Sequence, residues 1–249
     1  MIKDIAFDLD GTIIDSLHEC YIMTLRSMEH MGEQFKDTKE LEKKFLLGRP
    51  FVRLGSDFYV VMRMIRDGKD FTDLTQEEFD KYLEKYADKC KEFDYNFYKN
   101  REDALKKDTE AWFSLNKLYP GLKEILGRLS KKYKIVIATA KDTESAYLQL
   151  KKLGIEIEKD DIIGKEFSLV KSEQIRHIKD KLGVEFSEII LIEDSPKQIK
   201  SMLGLGIRLA MVSWGYNTDK QRQEIRSLGV PVVDNADELE ELIKRLNKE

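Results

Sequence analysis

The stretch IKDIAFDLDGT, residues 2–12, determines how the rest of the chain is interpreted. Residues 2–9 are largely apolar, which favours a buried strand. The stretch then reaches Asp10 and Gly11, a dipeptide typical of a tight turn. We therefore predict a strand that runs directly into a turn, with the carboxylates of Asp8 and Asp10 where the strand ends.

The sequence that follows this strand has a helical pattern. Apolar residues recur with a period near 3.6, for example in FDKYLEKYADKC at residues 79–90. Thr75, with Glu78 three residues later, has the spacing of a capping box and predicts a helix start. Almost nothing in residues 16–115 favours a strand. We therefore predict that these residues form an inserted helical domain.

Beyond residue 116 the pattern changes to strands that alternate with helices of about ten residues. Continuous apolar runs at residues 134–139 (KIVIAT) and 188–192 (EIILI) are typical of strands buried on both faces. Further strands are predicted at residues 207–212 and 230–233. This alternation predicts an α/β fold with a doubly wound parallel sheet, built from residues 1–15 and 116–249.

Composition excludes several classes of protein. The 249 residues carry 43 basic and 47 acidic side chains, with no tract of like charges. A nucleic-acid partner and a charged membrane partner are therefore not expected. Two cysteines form neither a disulfide framework nor a metal cluster, and no apolar run approaches the roughly 20 residues of a membrane helix. We expect a cytoplasmic protein, either a monomer or a homodimer.

Polar side chains follow the predicted strands at the positions where ligands bind in such sheets. Because these ends meet at one edge of the sheet, residues distant in sequence are expected to converge there. The candidates are Asp8, Asp10, Thr139, Glu193 and Asp194, with Lys171 at the start of the helix that precedes EIILI.

These residue types suit phosphoryl transfer. The carboxylates of Asp8, Glu193 and Asp194 are the hard oxygen ligands that Mg²⁺ prefers. Asp8 is positioned to attack phosphorus, and Asp10 to exchange a proton with the leaving group and then with water. The hydroxyl of Thr139 and the ammonium of Lys171 would hold the phosphoryl oxygens.

Four more residues are candidate substrate contacts. Gly11 lets the backbone turn sharply beneath a phosphate, where a Cβ would crowd. Ala140 and Lys141 follow Thr139 directly, and Lys141 would reach the phosphate or the leaving group. Arg49 lies in the helical insert, at the break Gly48-Arg49-Pro50, and would bind an anionic leaving group. A position on the protein surface is the alternative for Arg49.

Four motifs resemble those of the haloacid dehalogenase superfamily. DLDGTIIDS, residues 8–16, resembles the first motif in the form typical of its phosphatases. IVIAT at residues 135–139, Lys171, and ILIEDSP at residues 190–196 resemble the second, third and fourth motifs. LYPGLKEIL at residues 118–126 and VSWGY at residues 212–216 resemble the phosphoglycolate-phosphatase-like branch.

The resemblance implies a Rossmann-like core, a mobile helical cap and a small phosphate ester as substrate. It also implies Asp8 as nucleophile and Asp10 as acid and base. Mg²⁺ would be bound by Asp8, the backbone carbonyl of Asp10 and the acids of the fourth motif. The sequence departs from the common pattern at Glu193, which replaces a glycine, and at Gln198, where a second aspartate often stands.

The alternatives to a phosphatase are a phosphosugar mutase, a dehalogenase and a catalytically silent binding module. An adjacent Glu-Asp pair also occurs in beta-phosphoglucomutase-like members of the superfamily, so a phosphosugar mutase is the main alternative. The superfamily's dehalogenases lack the second aspartate of the first motif, and Asp10 therefore argues against dehalogenation. A catalytically silent binding module is disfavoured because Asp8, Asp10, Thr139 and Lys171 are all present.

Overall fold

The protein is described here by a computed structural model that covers residues 1–247 and divides into two compact units. We call Ser16–Asn116 the helical unit, and Met1–Asp15 together with residues 117–247 the sheet unit. The helical unit ends at Asn116, one residue beyond the predicted end at residue 115. The reason is local, because the N–H of Asn116 donates to the carbonyl of Phe113 at 3.0 Å and so continues the preceding helix.

The helical unit contains six α-helices, and none of its residues, all of which are described, forms a strand. The predicted capping box is confirmed: the N–H of Glu78 donates to Thr75 Oγ1 at 3.2 Å, and the N–H of Thr75 donates to Glu78 Oε2 at 3.0 Å. The helices are α1 (Leu17–His30), α2 (Lys39–Gly48), α3 (Phe58–Arg66), α4 (Gln76–Lys85), α5 (Ala87–Lys107) and α6 (Thr109–Ser114).

A buried ion pair joins the first and fifth helices of this unit. Arg101 donates from Nε and Nη2 to the two carboxylate oxygens of Glu19, at 2.8 and 2.6 Å. Trp112 Nε1 donates to the same carboxylate at 3.2 Å. The Glu19 side chain is fully buried and that of Arg101 is 8% exposed, so these charges are compensated by each other rather than by water.

The sheet unit is built on a six-stranded parallel sheet of order β5-β4-β1-β6-β7-β8, with a separate antiparallel pair β2-β3. The first strand, β1, is central. The chain adds β4 and β5 on one side of it and then β6, β7 and β8 on the other. The strands are β1 (Asp4–Phe7), β2 (Ile14–Asp15), β3 (Lys117–Leu118), β4 (Lys134–Ala138), β5 (Ile162–Ile163), β6 (Ile189–Glu193), β7 (Arg208–Val212) and β8 (Val232–Val233).

Two hydrophobic clusters cover the two faces of this sheet. Ile5 and Phe7 of β1 belong to one cluster, and Ala6 between them belongs to the other, as expected for a strand buried on both sides. The helices are α7 (Leu122–Leu129), α8 (Thr143–Lys152), α9 (Lys171–Leu182), α10 (Pro196–Met202), α11 (Asp219–Ser227) and α12 (Ala236–Leu246). Residues of α7, α8 and α12 pack in the first cluster, and residues of α9, α10 and α11 in the second. The predicted α/β class is confirmed.

Helix α11 is not predicted by the sequence pattern. Only Ile225 of this helix is buried, so the apolar periodicity that marks the other helices is absent. The available signal is the capping box, in which Thr218 accepts from the N–H of Gln221 at 3.2 Å and Gln221 Oε1 accepts from the N–H of Thr218 at 2.9 Å. No helix in residues 1–247 has the length and apolarity needed to cross a membrane.

Candidate active site

The carboxylate of Asp8 lies at the carboxyl end of β1, the central strand. Its backbone N–H donates to the carbonyl of Ile192 at 2.9 Å, which continues the pairing with β6 beyond the strand. Lys171 Nζ donates to Asp8 Oδ1 at 2.6 Å and also donates to the carbonyl of Ala138 in β4. The ammonium therefore fixes the Asp8 carboxylate from the side of the neighbouring strand.

Two more carboxylates lie beside Asp8. Glu193 is the last residue of β6, and its Oε1 accepts from the N–H groups of Asp194 and Ser195 at 3.1 and 3.0 Å. Its other oxygen, Oε2, is 3.3 Å from Lys171 Nζ. Carboxylate oxygens of Asp8, Glu193 and Asp194 all lie within 4.8 Å of one another, and all three residues are buried.

The charge of this cluster fits a divalent cation. Three carboxylates lie together here, and the ammonium of Lys171 contacts two of them, those of Asp8 and Glu193. Burial and the charge of Glu193 raise the pKa of Asp8 to about 7, while burial and Asp194 raise that of Glu193 to about 7, against the opposing effect of Lys171. Burial lowers the pKa of Lys171, but Asp8 and Glu193 outweigh it and the net shift is upward. These donors are buried and are all oxygen atoms, and such a set suits a hard divalent cation.

The segment after β7 holds Asp194 in place. The N–H of Tyr216 donates to Asp194 Oδ2 at 2.6 Å, and Asn217 Nδ2 donates to the Asp194 carbonyl at 3.1 Å. Tyr216 also donates from its hydroxyl to Asp15 Oδ1 at 3.0 Å. A Cβ on Gly215 would lie 2.7 Å from Asp194 Oδ2 and would also overlap the carbonyl of Gly11. From the sequence, VSWGY indicates only a family likeness, and no role is predicted for its residues.

Gly11 has the backbone conformation predicted for it, with φ of 91°. A Cβ at this position would lie 2.6 Å from Asp194 Cγ and 2.7 Å from Tyr216 Cδ2, so the first loop and the acidic cluster approach each other closely. Its N–H donates to the carbonyl of Ile14 at 2.8 Å and therefore closes the turn.

The residues after β4 form a second acid–lysine arrangement. Lys141 Nζ donates to Asp10 Oδ1 at 2.9 Å, and the Lys141 side chain is only 1% exposed. The N–H of Lys141 donates to Thr139 Oγ1 at 3.1 Å, which leaves the proton of that hydroxyl to be donated elsewhere. Asp10 is 21% exposed, in contrast to the buried cluster around Asp8.

Ala140 and Arg49 are the two remaining predicted substrate contacts. Ala140 is half-buried between Thr139 and Lys141. Arg49 belongs to the helical unit, where Nη1 donates to the carbonyl of Val52 at 3.3 Å and the guanidinium lies 5.6 Å from the ring centre of Phe58. Substrate contact by Ala140 or Arg49 stays a prediction.

A family model of haloacid dehalogenase-like hydrolases matches residues 2–206. The match covers most of the chain, and the protein therefore belongs to this family of hydrolases. The resemblance drawn from the four motifs is confirmed.

Curated relatives match nearly the whole chain at low identity. A phosphoglycolate phosphatase of Rhodospirillum rubrum is 24% identical over 238 residues, which are 94% of this chain and 87% of that protein. A phosphoglycolate phosphatase of Vibrio parahaemolyticus is 24% identical over 220 residues, covering 87% of this chain and 86% of the relative.

Solved structures share the fold. A predicted phosphatase from Clostridium acetobutylicum superposes with a TM-score of 0.67 at 21% identity, covering 98% of this chain and 99% of the other. A haloacid dehalogenase-like family protein from Streptococcus pneumoniae gives 0.64 at 18% identity, with 97% and 98% covered. The same architecture therefore extends over the full length of these proteins.

Proposed function

We propose that this protein is a Mg²⁺-dependent phosphatase that hydrolyses a small phosphate monoester through an aspartyl-phosphate on Asp8. One observation carries the proposal: the Asp8 carboxylate is held by Lys171 at 2.6 Å within a buried cluster of acids that suits a divalent cation. The family membership and the phosphoglycolate phosphatases among the relatives support the same reaction class.

In the first step a carboxylate oxygen of Asp8 attacks phosphorus, and the bond from phosphorus to the ester oxygen breaks. Mg²⁺ held by Asp8, Glu193 and Asp194, with the carbonyl of Asp10, would supply positive charge that offsets repulsion between the carboxylate and the phosphate dianion. Asp10 gives its proton to the departing oxygen. Lys171 and the Thr139 hydroxyl donate to phosphoryl oxygens as charge develops on them.

In the second step Asp10, now a carboxylate, takes a proton from water. The resulting hydroxide attacks phosphorus, and the bond between phosphorus and Asp8 breaks to release inorganic phosphate. Lys171 remains paired with the regenerated Asp8 carboxylate, which returns the site to the arrangement seen in the structure.

The test is phosphate release from a panel of monoesters that includes p-nitrophenyl phosphate, phosphoglycolate, sugar phosphates and nucleotides. We expect release with Mg²⁺, none with EDTA, and a loss of at least about a thousandfold in Asp8→Asn, because the amide cannot act as the nucleophile. Retained activity in a folded Asp8→Asn protein would refute the mechanism. Isomerised sugar phosphate without phosphate release would instead identify a mutase.

Two further features belong to the proposal. The near balance of charge and the lack of a long apolar run are in keeping with a cytoplasmic enzyme, and we propose separately that it acts as a monomer or homodimer. Sedimentation equilibrium would determine the oligomeric state, and a mass above that of two chains would contradict it.

A further inference from the structure

A buried glutamine lies behind the second acid–lysine arrangement. Gln149 is on α8 and is fully buried. Its Oε1 accepts from Lys141 Nζ at 2.7 Å, and the same nitrogen donates to Asp10 Oδ1 at 2.9 Å. The ammonium of Lys141 is therefore held between Asp10 on one side and α8 on the other.

The orientation of the Gln149 amide follows from the chemistry of its partner. An ammonium can only donate hydrogen bonds, so the oxygen of the amide must face Lys141. This places Nε2 in the interior, where it has no hydrogen-bond partner within residues 1–247. A buried donor without a partner destabilises a fold, and an apolar side chain of similar shape would avoid that penalty.

The unpaired Nε2 reduces what Gln149 contributes to stability, whereas the bond that its oxygen accepts gives Lys141 a second anchor. We propose that Gln149 is a positioning residue that acts through Lys141 to hold the Asp10 carboxyl group where it exchanges a proton with the leaving-group oxygen. This inference rests on the proposed function, in which Asp10 protonates the departing ester oxygen.

The role predicts a dependence on the leaving group. Without the Gln149 acceptor, the Lys141 ammonium can turn about its long side chain and no longer holds Asp10 Oδ1 in one direction. Proton donation matters for an alkyl phosphate, whose alkoxide is a poor leaving group, and hardly matters for 2,4-dinitrophenyl phosphate. A general loss of packing in the site would slow the hydrolysis of both esters by the same factor.

The experiment compares kcat/KM for these two esters, because this parameter reports the steps up to formation of the phosphoenzyme. Gln149→Met is expected to lower kcat/KM for an alkyl phosphate by roughly 10–100-fold and for the dinitrophenyl ester by less than about threefold. Its Tm is expected to stay close to that of the wild type, because removal of the unpaired Nε2 offsets the loss of the acceptor for Lys141. Introduced into Lys141→Met, the same change should have no further effect on the ratio of the two esters.

Gln174→Met is the matched control. Gln174 is also a buried glutamine beside the site, but its Nε2 donates to the carbonyls of Thr139 and Ser168, at 2.8 and 2.7 Å, and not to Lys141. This variant should affect the two esters equally. Equal losses of kcat/KM for the two esters in Gln149→Met would overturn the inference while leaving the proposed phosphatase activity intact. A further change in the ratio of the two kcat/KM values when Gln149→Met is added to Lys141→Met would do the same. A wild type inactive on both esters would overturn the proposed function and this inference with it.

Discussion

The buried ion pair of Glu19 and Arg101 allows a stability prediction with an internal control. Arg101→Met removes the guanidinium and leaves the fully buried carboxylate of Glu19 without its bidentate partner. Breaking a buried pair in this way costs about 3–5 kcal/mol. Lys106→Met, on the same helix, breaks the exposed pair with Glu102 and should leave the free energy of unfolding nearly unchanged.

Urea unfolding followed by tryptophan fluorescence measures both effects. Trp112 lies in the helical unit and Trp214 in the sheet unit, so Trp214→Phe leaves one reporter for the helical unit. With a slope of about 1.5 kcal/mol/M, Arg101→Met should lower the midpoint by roughly 2–3 M.

Replacing Glu19 by Met as well should recover most of this loss, since an apolar pair can substitute for a buried ion pair. A midpoint for Arg101→Met close to that of Lys106→Met would refute the reasoning, and so would additive losses in the double variant.

Two further predictions concern a close approach and a buried thiol. Gly215→Ala should lower kcat/KM by about 100-fold or more and raise the Mg²⁺ concentration needed for half-maximal activity, because its Cβ would displace Asp194. The control Gly127→Ala, with no atom within 4 Å of its Cβ, should behave like the wild type. Near-normal kinetics of Gly215→Ala would contradict the prediction. Burial raises the pKa of Cys90 to about 12, so its thiolate is scarce at pH 8. Its reaction with a disulfide reagent should therefore be roughly a thousandfold slower in the folded protein than in urea. A difference in rate below tenfold would disprove this prediction.

Hydrophobic patterning predicted most of the strands and helices of the fold. The runs at residues 134–139 and 188–192 are found as β4 and β6 because strands buried on both faces read as continuous apolar segments. The pattern failed where little apolar surface is buried, as in α11, and for the two-residue pair β2-β3, which is too short to show a period. Tertiary pairing rather than local propensity determines such elements.

Site residues that directly follow a strand could be predicted from the sequence. Hydrogen-bond partners that come from another element were harder to predict. Asp8, Thr139 and Asp194 follow β1, β4 and β6, and the parallel sheet brings those ends together. Gln149 is a polar residue inside an ordinary helix pattern, and nothing in its neighbours identifies Lys141 as its partner. Contacts of this kind depend on side-chain direction across elements, which spacing along the chain does not encode.

The two aspartates of the first loop are only two residues apart, yet the fold gives them different electrostatic surroundings. Asp8 shares Lys171 with the buried carboxylate of Glu193, and the carboxylate of Asp194 lies close by, so this arrangement favours a cation. Asp10 shares Lys141 with the neutral amide of Gln149 and is partly open to solvent. The first arrangement suits a nucleophile that works beside a metal ion, and the second suits a group that must pass protons to and from substrate and water. Because each lysine comes from a different element, α9 for one and the loop after β4 for the other, substitution of either lysine alters one aspartate without removing the partner of the other.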